Sequence, residues 1–504
     1  MSHVLLNKSF MPLLVSHFFS AINDSFMRTL FLFMATYGLT QAGEGFVIAG
    51  VILYALSFCA GSTIAGQVAD KISKKKFLLS CRVIEVVALL LTLGGISLSS
   101  RWVLLAIMGG LGFIGACVRV ADYSLMPSLV NEKGLVKANA LIKVASLLGI
   151  GASALMLMAH VKFGVSLEWV CLSAMGLSCL GLLITCLLPS QNPAEPETKV
   201  VKNPLHVFDF ISKELQYKFD DWAYLVGIAW FWVMMSLLGM LSSSYTQNIL
   251  QARWSVVVFL SGVLFPVGYM IGSVICVRTT RKRLGSQAVW VGALMSVLLL
   301  VLAWTSSSLA AVPVAKSLTI FKLLTTHGGY WVVMADVVLL GVLSALYIIP
   351  FYSLLQMKNN PKVMGRLFSF SGLLNALFLA ISFALIFALK LLSIHLTTII
   401  TFFAVVNLII SLYFARLLPL NQRRTFFKKA LKKLFKVEVK GLENLPEKGQ
   451  RCLIVANHTS FMDVLLVSAF VDRQIVFSIN NKLLEKTIVK FMTNLVDLRP
   501  LDPV

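Results

Sequence analysis

Charge is scarce in this sequence. Asp, Glu, Lys and Arg make up 13% of its 504 residues, against roughly 25% in an ordinary soluble domain. Acidic residues are the rarer sign, 22 against 44 basic ones. With 58% apolar residues and a mean hydropathy of +0.85, a water-soluble globular protein is excluded. The eight cysteines include no Cys-x-x-Cys pair, and seven lie inside apolar stretches. Neither a zinc site nor a disulfide framework is indicated, and no metal or cofactor is expected. A cleaved signal peptide is lacking too. The apolar run after Lys8 continues past His17, Asn23 and Asp24 to about Leu39 without a small-residue cleavage site, so it reads as a first membrane span.

What is present is a series of long apolar runs. A spanning helix needs about 20 predominantly apolar residues. Stretches of that kind lie at 10–38, 46–69, 77–98, 102–124, 138–160 and 166–188, and again at 222–247, 255–277, 285–305, 330–357, 365–392 and 396–418. The expected organisation is a six-helix half (1–188), a polar linker (189–221) and a second six-helix half (222–418). The linker opens with Pro189, Pro193 and Pro196 and is expected to hold one short surface helix near Leu205–Phe219.

The net charge of +22 would raise nucleic acid as a partner in a soluble protein. No nucleic-acid-binding motif accompanies it, and membrane proteins collect Lys and Arg in short cytoplasmic loops. Lys71 and Lys74–Lys76 follow span 2, Arg278 and Arg281–Arg283 follow span 8, and Lys358, Lys362 and Arg366 follow span 10. The alternate loops are poorer in cations, which places both termini and the linker in the cytoplasm. Beyond Pro419 comes a basic segment, 419–436, with apolar residues at 427, 431, 434 and 435 between lysines. That spacing fits a helix lying in the headgroup layer, or a solvated juxtamembrane charge run. From about Val437 to 504 the chain reads as soluble, with a strand expected at Cys452–Ala456.

Ionisable residues inside spans are costly and mark candidate sites. Asp24 lies deepest, next to Asn23 and four residues before Arg28, within helical reach. Arg82 with Glu85 and Arg119 with Asp122 are each three apart, readable as internally neutralised pairs, and Asp336 lies in span 10. The run Gly66-Gln67-Val68-Ala69-Asp70-Lys71-Ile72-Ser73-Lys74-Lys75 crosses from span 2 into the next loop. It resembles the Gly-x-x-x-Asp-Arg/Lys-x-Gly-Arg/Lys-Arg/Lys motif of the major facilitator superfamily, with Ser73 where the motif has Gly. A faded copy, Gly272 to Arg278 and then Arg281–Arg283, follows span 8 with Cys276 in place of the Asp. The resemblance implies an all-α, twelve-helix major facilitator fold of two six-helix halves around a midplane site, with Gly66, Asp70, Lys71, Lys74 and Lys75 latching one gate.

Phe19–Ser25, Gly66–Asp70, Leu135–Leu141 and Ile349–Gln356 resemble runs in bacterial lysophospholipid transporters, and Leu374–Phe378 resembles helix 11 of their fused relatives. This implies inward flipping of lysophospholipids such as lysophosphatidylethanolamine in a bacterial inner membrane. Asp24, Asn23, Arg28 and Asn375 are then the substrate-binding candidates, with Asp24 holding the headgroup ammonium.

Asn457-His458-Thr459-Ser460-Phe461-Met462-Asp463 resembles the Asn-His-x-x-x-x-Asp block of glycerolipid acyltransferases. In that chemistry His458, oriented by Asp463, takes the proton of a lysolipid hydroxyl as it attacks a thioester. Phe477 and Arg499–Pro503 also resemble the acyltransferase part of bifunctional 2-acylglycerophosphoethanolamine acyltransferase/acyl-carrier-protein synthetases. An acyl carrier protein or a downstream acyltransferase/synthetase polypeptide is the implied partner, beside membrane lipid. The phosphate-binding Glu-Gly-x-Arg block does not follow among the 41 residues after Asp463. The expectation is an incomplete α/β domain, 437–504, inactive alone. The rival readings are a proton-coupled drug or metabolite exporter using Asp24 or Asp336, an acyltransferase anchored by a degenerate transporter, and a fragment of a larger protein.

Overall fold

In the computed structural model the described residues are 8–37, 43–98, 100–197, 200–201, 219–279, 283–310 and 318–414, with shorter stretches between 428 and 501. Two compact units are present, Met1–Leu408 and Ile409–Val504. The first six long helices are α1 (Met11–Tyr37), α2 (Gly43–Lys71), α3 (Lys74–Leu98), α4 (Arg101–Leu129), α5 (Glu132–Phe163) and α6 (Leu167–Cys186). The second six are α7 (Phe219–Asn248), α8, α9 (Leu284–Ala310), α10 (Gly328–Lys358), α11 (Met364–Leu391) and α12 (Leu396–Tyr413). Helix α8 begins at Trp254–Phe259, widens to a π turn at Leu260–Leu264 and continues as Phe265–Val277. Among the described residues, 11 of these helices are long and apolar enough to cross a membrane. The remaining one, α1, carries Asp24 and Arg28 and still packs along α5 and α6 inside the bundle.

The halves repeat the same packing. Helix α2 lies against α4 as α8 lies against α10, and the halves meet where α2 packs on α11 and α5 on α8. Lipid tails give no hydrophobic drive between helices, so close approach depends on small residues. A Cβ at Gly112 would collide with the Tyr54 carbonyl of α2, and one at Gly268 with the Val338 carbonyl of α10. Buried amides add fixed points. Asn407 of α12 accepts the Trp230 indole N–H of α7 at 2.8 Å. Its amide also donates to the Gly292 carbonyl and the Ser296 hydroxyl of α9, both at 2.8 Å.

Several boundaries differ from the sequence reading. The polar residues between spans 4 and 5 form helix rather than loop. Helix α4 runs to Leu129, and α5 starts at Glu132 because the Asn131 side chain accepts the Gly134 N–H at 2.9 Å and caps it. Residues 205–218 of the expected linker helix and most of 419–434 lie outside the described residues.

In the second unit, Leu431 packs with Ala469 and Phe470, so this part of the basic segment's apolar face is buried within the protein. Helix α13 (Met462–Phe470) and strands β1 (Val476–Asn480) and β2 (Asp497–Leu501) follow. The strands pair in parallel, Val476 opposite Asp497. The strand expected at Cys452–Ala456 is not formed. Residues 452–457 are irregular, with Leu453 and Val455 exposed, and no neighbouring strand supplies a ladder among the described residues.

The helix contacts make a packing prediction. Gly112→Val and Gly268→Val should each lower stability in detergent by about 1–3 kcal/mol through overpacking. Gly110→Val, where nothing lies within 4 Å, should leave the thermal midpoint unchanged. Equal midpoints for all three variants would contradict this packing.

Candidate functional site

The motif after α2 sits at the bundle end that carries the α2–α3 turn. Asp70 is fully buried there. One carboxylate oxygen accepts the Gly365 N–H at 2.9 Å, and the other accepts the N–H and Nε–H of Arg366, both at 3.1 Å. The first turn of a helix has unsatisfied N–H groups and partial positive charge. Asp70 of the first half therefore caps α11 of the second. Gly66 permits the approach, since a Cβ there would strike Ser369 and stand 2.7 Å from the Gly365 carbonyl.

Lysines reinforce the same end. The Lys74 ammonium donates to the Ser124 carbonyl at 3.0 Å and the Pro361 carbonyl at 3.1 Å, one from each half. Lys75 donates to the carbonyls of Cys186, at 2.8 Å, and Leu188 within the first half. Lys71 is exposed. Glu195, from the segment after α6, pairs with Arg366 and donates its N–H to the Asp70 carbonyl at 2.8 Å. Sequence spacing gave no signal for that third partner.

Two more motif runs meet behind the latch. Asn139 in Leu135–Leu141 donates to the Gln356 side chain at 2.6 Å and to Ser353 at 3.2 Å, both in Ile349–Gln356. Gln356 in turn donates to the Tyr123 carbonyl at 3.0 Å. The faded repeat is used differently. Gly272 packs against Val342 of α10 within the second half, and Cys276 is buried beside Gln287.

The candidate binding residues fall into separate places. Arg28 donates to Asp24 at 2.6 Å, and the two side chains keep 41% and 31% exposure midway along α1. The Arg28 guanidinium lies 5.8 Å from the Tyr54 ring centre. Asn23 and Asn375 are buried, with the Asn23 carbonyl oxygen and both polar atoms of the Asn375 amide unpartnered. Asp336 is likewise buried with both carboxylate oxygens unpartnered.

Arg119 and Asp122 do not form the expected pair. Asp122 is taken by His17 at 2.6 Å and by Arg82 at 3.6 Å, contacts from α1 and α3 that i,i+3 spacing cannot reveal. Arg82 also bonds Glu85 at 3.1 Å, Glu85 accepts from Ser20 at 2.5 Å, and His17 bonds Ser146 at 2.8 Å. A polar chain thus runs through the first half from Ser20 to Ser146.

Ser146 opens onto a cavity of about 410 Å³, within the size range of small-molecule sites. Its wall is α5 on one side and α7–α10 with Ile400 of α12 on the other, mostly Leu, Ile, Val and Phe. Lys143 is the one charged residue among the described lining residues. It lies 11 residues into α5, roughly 16 Å from that helix's start. Tyr245 and Thr246, near the opposite end of α7, line it too, so the cavity is elongated along the bundle. None of Asp24, Asn23, Arg28 and Asn375 is in its lining. Lys143 was missed as a candidate although it sits inside the apolar stretch 138–160, the same signal that marked Asp24.

In the second unit, His458 lies outside the described residues. Asp463 accepts the Ser460 N–H at 2.8 Å, while the Ser460 hydroxyl accepts the Met462 N–H at 3.2 Å. The two side chains together close the start of α13 as a capping box does.

A family model described as Major Facilitator Superfamily matches residues 13–384, and one described as Acyltransferase matches residues 436–503. Among solved structures, a bacterial homologue of the iron transporter ferroportin in an outward-facing state is similar at 15% identity and a TM-score of 0.60, over 81% of this chain and 98% of that one. The human organic anion transporter MFSD10 is similar at 15% identity and 0.58, over 82% and 99%. The fucose:proton symporter of E. coli is similar at 14% identity and 0.59, over 81% and 98%. At such identities these likenesses establish the fold alone. The matched residues, the twelve long helices and the interhelical latch agree: the chain is a multi-pass membrane protein and belongs to the major facilitator superfamily.

Proposed function

We propose that this chain carries lysophospholipids, such as lysophosphatidylethanolamine, across a bacterial inner membrane toward the face bearing the α2–α3 turn, for reacylation there. The observation that carries this reading is the continuation of a major facilitator transporter into an acyltransferase-family segment on one polypeptide. A single-chain lipid is both a cargo with an apolar body and an acceptor for acyl transfer. The distribution of Lys and Arg supports a cytoplasmic position for the latch and for both termini. An acyl carrier protein or an acyltransferase/synthetase polypeptide fits as the partner that supplies the acyl group, with His458 and Asp463 contributing to that chemistry in a completed domain.

Asp24 supports the same reading. A partly exposed carboxylate midway along a span attracts a headgroup ammonium strongly where water is scarce. Arg28, at 2.6 Å, holds that carboxylate in place. Asn23 and Asn375 have the unpartnered amide atoms that a polar headgroup can satisfy. The cavity, lined by none of these four residues, offers an apolar wall for one acyl chain.

The latch described above then sets access. With Asp70 capping α11, the cytoplasmic end is closed and lipid reaches the site from the outer leaflet. Opening the inner end requires Asp70 to leave the Gly365 and Arg366 donors.

A second reading, proton-coupled export of a drug or metabolite, draws on Asp336, buried and without a partner. Collapse of the proton gradient separates the two. Lysolipid uptake that persists with a protonophore present supports the flippase, whereas transport lost with the gradient and with Asp336→Asn supports the exporter.

Asp24→Asn in reconstituted vesicles should reduce lysophosphatidylethanolamine uptake at least about tenfold, the scale of one lost charge-assisted contact, with membrane insertion intact. Normal uptake by that variant would sink the assignment. For the latch, a Ser369→Cys reporter, buried between α2 and α11, should react slowly with a membrane-impermeant maleimide above the native-cysteine background. Adding Asp70→Asn should speed that reaction about tenfold or more. An unchanged rate would mean that Asp70 does not hold the end closed.

A further inference from the structure

At the cavity wall lies a cluster of cations and aromatic rings of which only Tyr352 belongs to one of the motif runs. The Lys143 ammonium is 4.6 Å from the ring centre of Tyr352, 5.1 Å from Tyr123 and 5.4 Å from Trp232. The Arg119 guanidinium is 5.3 Å from Phe58 and 6.0 Å from the same Trp232. Both halves contribute, with Phe58, Arg119, Tyr123 and Lys143 from the first and Trp232 and Tyr352 from the second.

The charge in this cluster is uncompensated. Asp122, which spacing would pair with Arg119, is bound to His17 and Arg82. Among the described residues no carboxylate lies within 4.0 Å of Arg119 or Lys143, and one terminal nitrogen of Arg119 is buried without any hydrogen-bond partner. Aromatic faces attract cations but supply only part of the solvation that water gives. Two like charges within about 6 Å of one indole ring, inside a membrane, are stabilised by an anion between them. The cavity leads from Lys143 and Trp232 along an apolar wall toward the far end of α7, so the two cations stand at the head of an elongated apolar space.

We infer that Arg119 and Lys143, walled by Trp232, Tyr123 and Tyr352, form an anion subsite that binds the phosphate of a single-chain lipid whose tail occupies the cavity. In its lysolipid form this deepens the function proposed above, and rests on it for the identity of the rest of the headgroup. The phosphate at Arg119 and Lys143 and the ammonium at Asp24 are then read by separate groups. The Tyr352 hydroxyl and the Trp232 indole N–H, both of the second half and buried without a hydrogen-bond partner, are further donors for that phosphate, which would tie the two halves together at the site.

The test is equilibrium binding to the purified full chain in a non-ionic detergent, with four probes: lysophosphatidylethanolamine, dodecyl phosphate, monoacylglycerol and inorganic phosphate. Lys143→Gln and Arg119→Gln should each weaken both phosphate-bearing lipids about tenfold or more, the effect of one charge-assisted hydrogen bond. Monoacylglycerol binding should stay as it is, and Lys143→Arg should restore most of the loss. Inorganic phosphate, lacking a tail, should bind weakly, with the same dependence on Lys143. A thermal midpoint equal to wild type shows that each variant is folded. Lysophosphatidylethanolamine binding unaffected by either Gln variant would overturn the subsite while leaving the lysolipid reading intact. Lys143-dependent binding of dodecyl phosphate without any binding of lysophosphatidylethanolamine would keep the subsite and reject that reading. Equal losses for monoacylglycerol and the phosphate lipids would overturn the subsite by showing a general packing defect.

Discussion

The contact on which the arrangement depends is one carboxylate closing the start of a helix that belongs to the other half. Asp70 fills the donor positions of Gly365 and Arg366, so α2 and α11 meet with their backbones close. The loss of water around a buried Asp is offset by three donors and by the positive end of α11. Gly66 and Gly365 make the approach sterically possible, and Lys74 repeats the cross-half bond through the Ser124 and Pro361 carbonyls. Most of these bonds run between helices of opposite halves, and Glu195 adds a contact from the segment after α6. The latch is also one-sided. The repeat places Cys276 where the second carboxylate would be, so the related α5–α8 contact lacks that carboxylate.

Charges elsewhere in the bundle sort by whether protein already satisfies them. His17, Arg82, Glu85 and Asp122 contact one another within the first half and link α1, α3 and α4. That network is a structural tie whose outer member, Ser146, reaches the cavity wall. Asp24 with Arg28, and Arg119 with Lys143, are placed differently. They remain open to a ligand or lack an acidic partner, and all four belong to helices of the first half. The second half contributes Trp232, Tyr352 and most of the apolar wall, together with the buried Asn375. Charged recognition mainly by one half and apolar enclosure mainly by the other suits a cargo with one charged end and one tail.

Much of this was legible in the sequence. Twelve apolar stretches, the polar gap after the sixth and the motif at Gly66–Lys75 correspond to the helices and to the latch, because span length and loop charge are local properties. The Asp24–Arg28 contact was legible for the same reason, both residues lying one turn apart on one helix. Partners from other helices were not. Asp122 is claimed by His17, 105 positions away, and Arg119 is left for the aromatic cluster. Asp70 finds its donors almost 300 residues on. The short α4–α5 connection was misread because polar residues continue a helix when Asn131 caps it. The Cys452–Ala456 run looked like a strand by composition, but an extended run becomes a strand only when a neighbour pairs with it.

The central claim is that one lipid chain, with its phosphate-bearing head, is the cargo. Vesicles reconstituted with the wild-type chain and supplied with either lysophosphatidylethanolamine or diacyl phosphatidylethanolamine in the outer leaflet test it most directly. The account predicts rapid inward movement of the single-chain lipid and movement of the two-chain lipid no faster than in protein-free vesicles. Equal rates for both lipids, or no protein-dependent movement of either, would contradict it.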